Sequence, residues 1–330
     1  MTKLSAIQDV LSVAGNTPLL KLDRIVPDDS AEVWLKLEGS NPTGSYKDRM
    51  AVSVIKKALE RMELQPGDRV VEYTGGSTGS ALAFVSALAG VQFTAVSSNA
   101  FSESKLQAIR AYGSEVLIEE SKDGNITPDL IKRMKEKAFK IAGESGCFYA
   151  DQFRSPNVRT GYRPMGWEIA SSLNSQLDVV CASVGTGASL MGTVDILEES
   201  GIKPEVVAIE TSQSPFLTTG KGGPHQVEGI GVGFEPPFLE RTRLSEIMVI
   251  DQQEAFEMCG KLARLEGLLC GGSTGINVVG ALRLATRLGP KKRIITFGCD
   301  NGLKYLDGHI FNSVPVVSPP KSGPSGSMWN

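Results

Sequence analysis

The sequence has no long apolar run, and this absence limits where the protein can work. No window approaches the ~20 uninterrupted apolar residues of a membrane-spanning helix. Residues 1–20 carry acidic and polar side chains where a signal peptide needs an apolar core. Positive charge is not in excess either, since 34 Lys and Arg stand against 37 Asp and Glu for a net charge of −3. We therefore expect a cytoplasmic protein that binds neither a membrane nor nucleic acid.

Cysteine and histidine are scarce among the 330 residues. The five cysteines form no CxxC pair, and their number is odd, so we expect buried free thiols in a reducing cytoplasm. They are Cys147, Cys181, Cys259, Cys270 and Cys299. The two histidines, His225 and His309, have no ligand-like spacing, so we expect no metal site. A Ser–His–Asp mechanism also has few histidines to use.

Short β-branched runs alternate with helical patterns from about residue 66 onward. The predicted strands are RVVEYT (69–74), VQFTAVSS (91–98), SEVLIEE (114–120), CFYADQF (147–153), LDVVCASVG (177–185), EVVAIET (205–211), EIMVID (246–251) and RIITFGC (293–299). Such runs with helices between them predict parallel sheets covered on both faces. At ~150 residues per domain, the length indicates about two domains. We favour two doubly wound domains over one barrel because residues 151–164 form a connection rich in turn residues.

Four turns are built from glycine and small polar residues, and each precedes a helical pattern. They are TGGSTGS (74–80), GTGAS (185–189), GGSTG (271–275) and GCDNG (298–302). Small residues let backbone N–H groups converge on an anion at a helix N-terminus. Because ligands of open α/β sheets bind beyond the carboxyl ends of strands, we expect the four turns to share one polar site. GTGAS best fits one phosphate, and it matches neither GxxxxGK[ST] nor GxGxxG, which disfavours ATP and dinucleotides.

Lys47 lies in NPTGSYKDRM (41–50), at the expected start of a helix, where acidic residues are usual. Ser45 is the predicted N-cap, with Asp48 as its reciprocal partner. The helix dipole and apolar neighbours should lower the pKa of Lys47. A lysine with a lowered pKa is what Schiff-base chemistry requires. Together with a cradle for one phosphate, it indicates pyridoxal phosphate (PLP) as the cofactor.

Seven motifs along residues 10–312 resemble, in order, those of the fold type II PLP enzymes, and within them the cysteine synthase and cystathionine β-synthase family. They are GNTPLLKL (15–22), LKLEGSNPTGSYKDR (35–49), EYTGGSTGSALA (72–83), DQFRSPN (151–157), SVGTGASLMG (183–192), EGIGVGF (228–234) and DNGLKYL (300–306). The resemblance implies two doubly wound parallel-sheet α/β domains of the tryptophan synthase β type, with the active site in the cleft between them. It implies a smaller, mobile domain (1–12 and 35–153), a larger PLP-phosphate-binding domain (13–34 and 154–312) and a Pro/Ser/Gly-rich tail (313–330).

The resemblance also implies roles for individual residues. Lys47 corresponds to the catalytic lysine that holds PLP as an imine. The phosphate loop corresponds to Gly185, Thr186, Gly187, Ala188 and Ser189. The loop that binds the substrate carboxylate corresponds to Thr74, Gly75, Gly76 and Thr78, with Ser77 at the cofactor's 3′ oxygen, Gln152 on the substrate side and Gly229 in the loop that closes over the site. Asn301, or Asp300 beside it, occupies the place of the serine that usually meets the pyridine nitrogen.

Four of these positions depart from the family's pattern. Ala188 stands where glycine is usual, Gly75 where serine is common, Ser77 where asparagine is common and Asn301 where serine is usual. The departures change the hydrogen-bonding groups around the substrate, so the resemblance does not identify O-acetylserine as the donor. Lys221, in the glycine-rich segment before the closing loop, would favour O-phosphoserine if it reached the leaving group.

The activity that the resemblance implies is that of a transferase, a PLP-dependent β-replacement. O-acetylserine or O-phosphoserine would react with sulfide or a thiol through an aminoacrylate, giving cysteine or a β-substituted alanine, as in cysteine biosynthesis. One alternative is a β-elimination lyase, either a serine or threonine dehydratase or a cysteine desulfhydrase. Another is a catalytically silent family member that acts as a binding subunit, which the retention of Lys47 and the phosphate loop disfavours. The resemblance also implies a homodimer.

Overall fold

The computed structural model describes residues 9–173, 176–308 and 310–311, and the predicted tail and residues 1–8 lie outside these ranges. The strands are β1 (Leu19–Lys21), β2 (Glu32–Leu37), β3 (Arg69–Tyr73), β4 (Gln92–Ser97), β5 (Glu115–Ile118), β6 (Cys147–Tyr149), β7 (Val179–Ser183), β8 (Glu205–Thr211), β9 (Glu246–Ile250) and β10 (Arg293–Gly298). The α-helices are α1 (Lys47–Glu60), α2 (Ser77–Ala89), α3 (Glu103–Ala111), α4 (Pro128–Ala142), α5 (Pro156–Ser172), α6 (Ala188–Glu199), α7 (Phe216–Thr219), α8 (Gln252–Lys261) and α9 (Gly272–Leu288). No helix in the described ranges is long and apolar enough to cross a membrane.

The strands form two separate sheets. The larger sheet has the order β1-β2-β10-β7-β8-β9 and is parallel except for the β1–β2 pair. The smaller sheet has the order β5-β4-β3-β6 and is parallel throughout. The predicted fold class, two doubly wound parallel-sheet α/β units, is confirmed, and each of the eight predicted strands is present. The two strands that were not predicted, β1 and β2, come before the alternating pattern begins, and the predicted boundary between residues 34 and 35 falls inside β2.

Apolar clusters cover both faces of each sheet. The largest cluster joins the sheets, because it holds Val70 and Phe93 of the smaller sheet together with Val180 and Ile295 of the larger. A second cluster covers the other face of the larger sheet. A third lies between the smaller sheet and α4. Burial on both faces explains why these strands read as continuous apolar runs rather than alternating ones.

Helix α4 shows how the sequence sets a helix and its buried face. The Thr127 side chain caps the helix by accepting the N–H of Leu130, and Pro128 occupies the first turn, where its missing N–H costs nothing. Leu130, Met134 and Ala138 recur every four residues, and all three are buried against the smaller sheet. This spacing places one apolar stripe on one face of the helix.

Both sheets change winding direction next to a central strand. In the smaller sheet, β4 and β6 lie on opposite sides of β3, and in the larger sheet β8 and β10 lie on opposite sides of β7. At such a switch point the loops from neighbouring strands leave in opposite directions and open a crevice at the carboxyl end of the sheet. The fold therefore places the turns after β3, β6, β7 and β10 around the molecule's main cleft.

Candidate active site

The cleft encloses about 1190 Å³, part of it open to solvent. All four glycine-rich turns reach it, through residues 74–78, residues 185–186, Ser273 and residues 299–300. The four turns therefore line one cleft, as predicted, although the cleft is not polar throughout. Lys47, Gln152 and Gly229 line the same cleft.

Helix α1 begins at Lys47, but the predicted capping box does not form. The Ser45 hydroxyl accepts the N–H of Lys47 at 3.3 Å, and Tyr46, which occupies the N-cap position, makes no side-chain capping bond. The Asp48 carboxylate instead accepts the backbone N–H of Thr43 at 2.7 Å and its hydroxyl. The predicted capping box is wrong because Thr43 offers two hydrogen-bond donors to Asp48 from the preceding turn. The Asp48 carboxylate therefore does not reach back to the N–H of the predicted N-cap, Ser45.

The Lys47 ammonium lies against an aromatic ring rather than a carboxylate. Its Nζ is 4.5 Å from the centroid of the Tyr46 ring, and no described residue accepts a hydrogen bond from it. Burial lowers the pKa of Lys47 to about 8, although the nearby Cys299 and Asp300 act in the opposite direction. The predicted direction of this shift is confirmed. The main cause is removal from water, and the amine is therefore available as a neutral nucleophile close to neutral pH.

The loop of residues 185–189 forms a tight cradle at the start of α6. Gly187 has a left-handed φ of 84°, and a Cβ there would lie 2.7 Å from the backbone nitrogen of Leu239. A Cβ on Gly185 would lie 2.3 Å from the carbonyl oxygen of Gly229. Only glycine fits these two positions, whereas Ala188, where the family usually has glycine, is accommodated with its side chain buried. The first N–H groups of α6 lack intrahelical acceptors, which makes this turn a site for an anion.

The turn after β3 is held in shape by Thr74. Its hydroxyl oxygen accepts the N–H of Gly76 at 3.1 Å and that of Gly79 at 3.2 Å. A Cβ on Gly75 would lie 2.7 Å from the Phe101 ring, and one on Gly76 would lie 2.6 Å from Cβ of Lys105. Two side chains of the α3 region therefore occupy the room that larger residues in this turn would need.

Gln152 is fixed to this turn by two hydrogen bonds. Its Oε1 accepts the Thr78 hydroxyl at 2.8 Å, and its Nε2 donates to the carbonyl of Tyr73 at 3.0 Å. The bond between Thr78 and Gln152 joins the first turn of α2 to the segment that follows β6. It joins two loops that line the same side of the cleft.

Asp300 and Asn301, the two candidates for the contact with the pyridine nitrogen, have different surroundings. Asp300 is buried and lines the cleft; its Oδ2 accepts the Tyr305 hydroxyl at 2.6 Å and the Ser77 hydroxyl at 3.4 Å. Its Oδ1 is buried without a hydrogen-bond partner among the described residues. The Asn301 side chain accepts the N–H of Leu303 at 2.9 Å and caps a short 3₁₀ helix, and Asn301 is not among the residues that line the cleft.

Several polar residues of the cleft were not given a role from the sequence, among them Ser273, Lys105 and Glu228. Ser273, at the second position of α9, is 5% exposed and lines the cleft. Lys105 of α3 pairs with Glu228, with 2.7 Å between Nζ and Oε2, and its Nζ lies 3.9 Å from the Tyr305 ring. The GGSTG turn was a usable signal for Ser273. No local pattern could pair Lys105 with a carboxylate 123 positions away.

The segment before Gly229 contributes His225 rather than Lys221 to the cleft. Lys221 is exposed and is not a lining residue. His225 lines the cleft, its Nε2 lies 3.0 Å from the carbonyl of Gly231, and burial lowers its pKa. The structure thus gives no support to a phosphate contact from Lys221.

The site has two features that PLP requires: a lysine of lowered pKa and a glycine cradle for one anion. The fold and the cleft together define a PLP-dependent enzyme. The chain matches the family described as "Pyridoxal-phosphate dependent enzyme" over residues 10–300, and it belongs to that family. The predicted family, enzyme class and cofactor are confirmed.

Similar proteins cover nearly the whole chain. A cysteine synthase of Staphylococcus aureus (strain Mu50 / ATCC 700699) is 34% identical over 310 residues, which are 93% of this chain and 97% of that protein. The crystal structure of O-ureido-L-serine synthase is 32% identical with a TM-score of 0.86, and the match covers 95% of this chain and 98% of that one. The structure of an O-acetylserine dependent cystathionine beta-synthase from Helicobacter pylori is 30% identical with a TM-score of 0.84, over 93% of this chain and 100% of that one.

Proposed function

We propose that this protein catalyses PLP-dependent β-replacement on a serine-type amino acid, exchanging the group on the β-carbon for a sulfur nucleophile. The observation that carries the proposal is that Lys47, residues 74–78 and the start of the anion cradle face one cleft. Relatives named as a cysteine synthase and an O-acetylserine dependent cystathionine beta-synthase support the same class of reaction.

The cofactor would be held between Lys47 and the cradle. Backbone N–H groups of residues 185–189 would bind its phosphate at the N-terminus of α6, where the helix dipole favours an anion. Lys47 Nζ would form the imine and, when the incoming amino acid releases it, would take the α-proton. Bound PLP supplies a ring that stabilises negative charge at the α-carbon.

We place Ser273, rather than Asp300 or Asn301, at the pyridine nitrogen. Asp300 lies 3.4 Å from the Ser77 hydroxyl, whose proposed contact is the 3′ oxygen. In the cofactor ring the nitrogen and the carbon that bears this oxygen are not adjacent, so Asp300 belongs to the oxygen side. Ser273 is the other polar side chain of the α9 and β10 turns that lines the cleft among the described residues. A neutral hydroxyl does not keep the ring protonated, which favours exchange at the β-carbon over transamination.

The amino acid would bind across the N-terminus of α2. The N–H groups of Ser77 and Thr78 have no intrahelical acceptor there and would receive the α-carboxylate. Thr78 is already oriented by its hydrogen bond to Gln152, which places the glutamine on the substrate side. Gly229, with a left-handed φ of 86°, gives its loop a backbone turn that other residues rarely adopt, as a segment that closes over the site would require.

Assembly, location and domain boundaries belong to the same proposal. We expect a cytoplasmic homodimer whose smaller domain comprises residues 1–12 and 35–153 and whose larger domain comprises 13–34 and 154–312. The resemblance to the family and the presence of two sheets support this division, except at residues 35–37, which complete β2 of the larger sheet. Light scattering of the purified protein tests the dimer, and limited proteolysis tests the boundaries.

Rapid-scan absorbance of the holoenzyme tests the reaction. O-acetylserine, O-phosphoserine, serine and cysteine are offered in turn, first alone and then with sulfide, and products are identified by mass spectrometry. We expect one donor to change the cofactor spectrum when added alone, and sulfide to restore the spectrum while an amino acid carrying the new sulfur forms. Release of ammonia and a keto acid at the same rate with and without sulfide would instead identify a β-elimination lyase.

A further inference from the structure

One side of the cleft is apolar, and the proposed reaction of a small donor with sulfide makes no use of it. We call this side the apolar wing; it consists of Tyr73, Phe101, Ile131, Met134, Phe153 and Phe234. None of these residues is charged, and they come from both sheets' loops and from α4. Sulfide, a single heavy atom, has no surface with which to cover such a wall.

Three aromatic rings give the wing its shape. The Tyr73 and Phe153 rings are stacked, with centroids 5.7 Å apart and planes 11° apart. Phe234 meets Phe153 at 5.4 Å and 57°, and 38% of Phe234 is exposed. A large ring is therefore held at the mouth of the cleft without being covered by the protein. Aromatic rings in these arrangements favour further aromatic or aliphatic partners.

Phe101 extends the wing into the carboxylate-binding turn. A Cβ on Gly75 would lie 2.7 Å from the Phe101 ring, so this ring fills the space of the side chain that Gly75 lacks. Gly75 stands where serine is common in the family that the chain resembles. At this point the cleft therefore presents an aromatic ring.

The wing is continuous with the core of the smaller sheet. Met134 is fully buried in that core, and Phe101, Ile131 and Phe153 pack against it from the cleft side. The rings are thus held by a packed layer rather than by a loop alone. An apolar ligand group that covers them removes apolar surface from water on both partners, which is favourable in proportion to area.

The occupant has to be one of the two groups that bond to the β-carbon. A leaving group departs as an anion, and an apolar wall without charges disfavours an anion. The Lys105 ammonium, which lines the same cleft, is already paired with Glu228. An uncharged thiol meets neither difficulty, so the wing fits the incoming nucleophile.

Building on the proposed β-replacement, we propose that the nucleophile is an organic thiol that carries an aromatic or branched aliphatic group, which lies on the apolar wing. In this reaction the donor's C–O bond breaks and the leaving group keeps the electron pair. The thiol sulfur forms the new C–S bond and gives up its proton. The departing anion takes up one proton, so the leaving group is released as an acid. The product is an alanine with an apolar thioether on its β-carbon.

Phe234→Ala tests the wing, because Phe234 is partly exposed and its removal does not open the core. Benzyl mercaptan and sulfide are compared as nucleophiles with the donor identified above. We expect the parent to use benzyl mercaptan at least as efficiently as sulfide. The variant should lose about tenfold in kcat/KM for benzyl mercaptan, as expected for one aromatic contact with its buried area, and change less than about twofold for sulfide. A strong preference of the parent for sulfide, or an equal loss for both nucleophiles, overturns the proposal.

Phe139→Ala is the matched control. Phe139 is 41% exposed, its ring lies 4.9 Å from the Tyr149 ring, and it does not line the cleft. This substitution should leave kcat/KM unchanged for both nucleophiles. A binding measurement separates failure of the wing from failure of the reaction: calorimetry with benzyl methyl sulfide, which has no S–H to react. We expect binding to the parent and to Phe139→Ala, and weaker binding to Phe234→Ala, even if no donor turns over. Absence of binding to the parent overturns the proposal.

Discussion

Two cations on the first turn of α1 have opposite surroundings. Arg49 is buried and makes short ion pairs on two sides, with 2.6 Å between its Nε and Oε2 of Glu38 and 2.7 Å between its Nη1 and Oε1 of Glu168. Lys36 completes this group through a 2.6 Å pair with Glu168. Lys47, two residues before Arg49, has an aromatic ring beside it and no carboxylate partner among the described residues.

This difference distinguishes charged side chains that stabilise the fold from polar or charged side chains that are available to bind a ligand. Burying a charge is costly unless it is paired, and the Arg49 group meets this condition within the chain. In the cleft, Lys47 lacks a partner in the described structure, and Oδ1 of Asp300 is buried without one. Buried polar groups without partners at the end of parallel strands are typical of sites where a ligand completes the hydrogen bonding.

The largest expected effect is the loss of the unpaired amine. Lys47→Ala should reduce turnover by about 10³-fold or more, because both the imine-forming group and the proton acceptor are removed. Borohydride reduction of the holoenzyme followed by peptide mapping should place the pyridoxyl label on Lys47 in the parent. Lys56→Ala, an exposed lysine of the same helix, should retain both the label and the activity. A label on another lysine of the parent contradicts the assignment.

The substitution Arg49→Met removes the central cation of the buried ion-pair group. It leaves Glu38, which is fully buried, without its cation, so the free energy of unfolding should fall by about 3–5 kcal/mol. Urea unfolding followed by tryptophan fluorescence measures this. Arg163→Met removes the exposed pair with Glu199 and should cost at most about 1 kcal/mol. Equal losses in the two variants would show that the buried group contributes no more than a surface pair.

Acid titration sharpens the same test. Burial opposes ionisation of Glu168, but its bonds to Arg49 and Lys36 outweigh burial and lower its pKa from 4.5 to about 2. A carboxyl whose pKa is lower in the folded state stabilises the fold above its unfolded pKa and loses that contribution as the pH falls. The parent should therefore lose stability between about pH 4.5 and pH 2. Arg49→Met should show a shallower loss across this window.

The sequence predicted some features of the molecule better than others. The fold was readable because continuous β-branched runs mark strands buried on both faces, and each of the eight predicted strands is present. β2 was missed because it stands before the alternating pattern begins. The glycine turns were identified because they follow a local rule about tight turns, and Lys47 was identified because it departs from the rule that acidic residues are usual at a helix start.

What the sequence did not reveal depends on contacts between distant residues. The pairing of Arg49 with Glu168 spans 119 positions, and that of Lys105 with Glu228 spans 123. The Phe101 ring fills the room beside Gly75 only after α3 packs against α2. The capping box failed for the same kind of reason, since Thr43 competes for Asp48. Local patterns thus locate the groups, and the tertiary structure decides which of them are paired.

The smallest expected effect concerns Glu72, a buried carboxyl without a cationic partner among the described residues. It contrasts with Glu168, which is paired with Lys36 and Arg49. Glu72 is fully buried in β3, and its two oxygens accept the N–H groups of Tyr73 at 3.1 Å and Gln152 at 2.9 Å. Burial raises its pKa from 4.5 to about 8, despite these bonds. A carboxyl whose pKa is higher in the folded state costs stability as the pH rises from its unfolded pKa through its folded one.

Glu72→Gln keeps the shape of the side chain and removes this titration. The parent should lose stability progressively as the pH rises from about 4.5 to about 8, whereas the variant should be nearly flat across that range. The glutamine NH₂ must face one of the two N–H donors, and this conflict offsets part of the gain. We expect a net advantage of the variant of about 1–3 kcal/mol near pH 8, measured by urea unfolding at several pH values. Glu63→Gln, at an exposed position, should follow the parent. Parallel curves for the parent and Glu72→Gln would mean that Glu72 is ionised in the fold, and the contrast with Glu168 would then disappear.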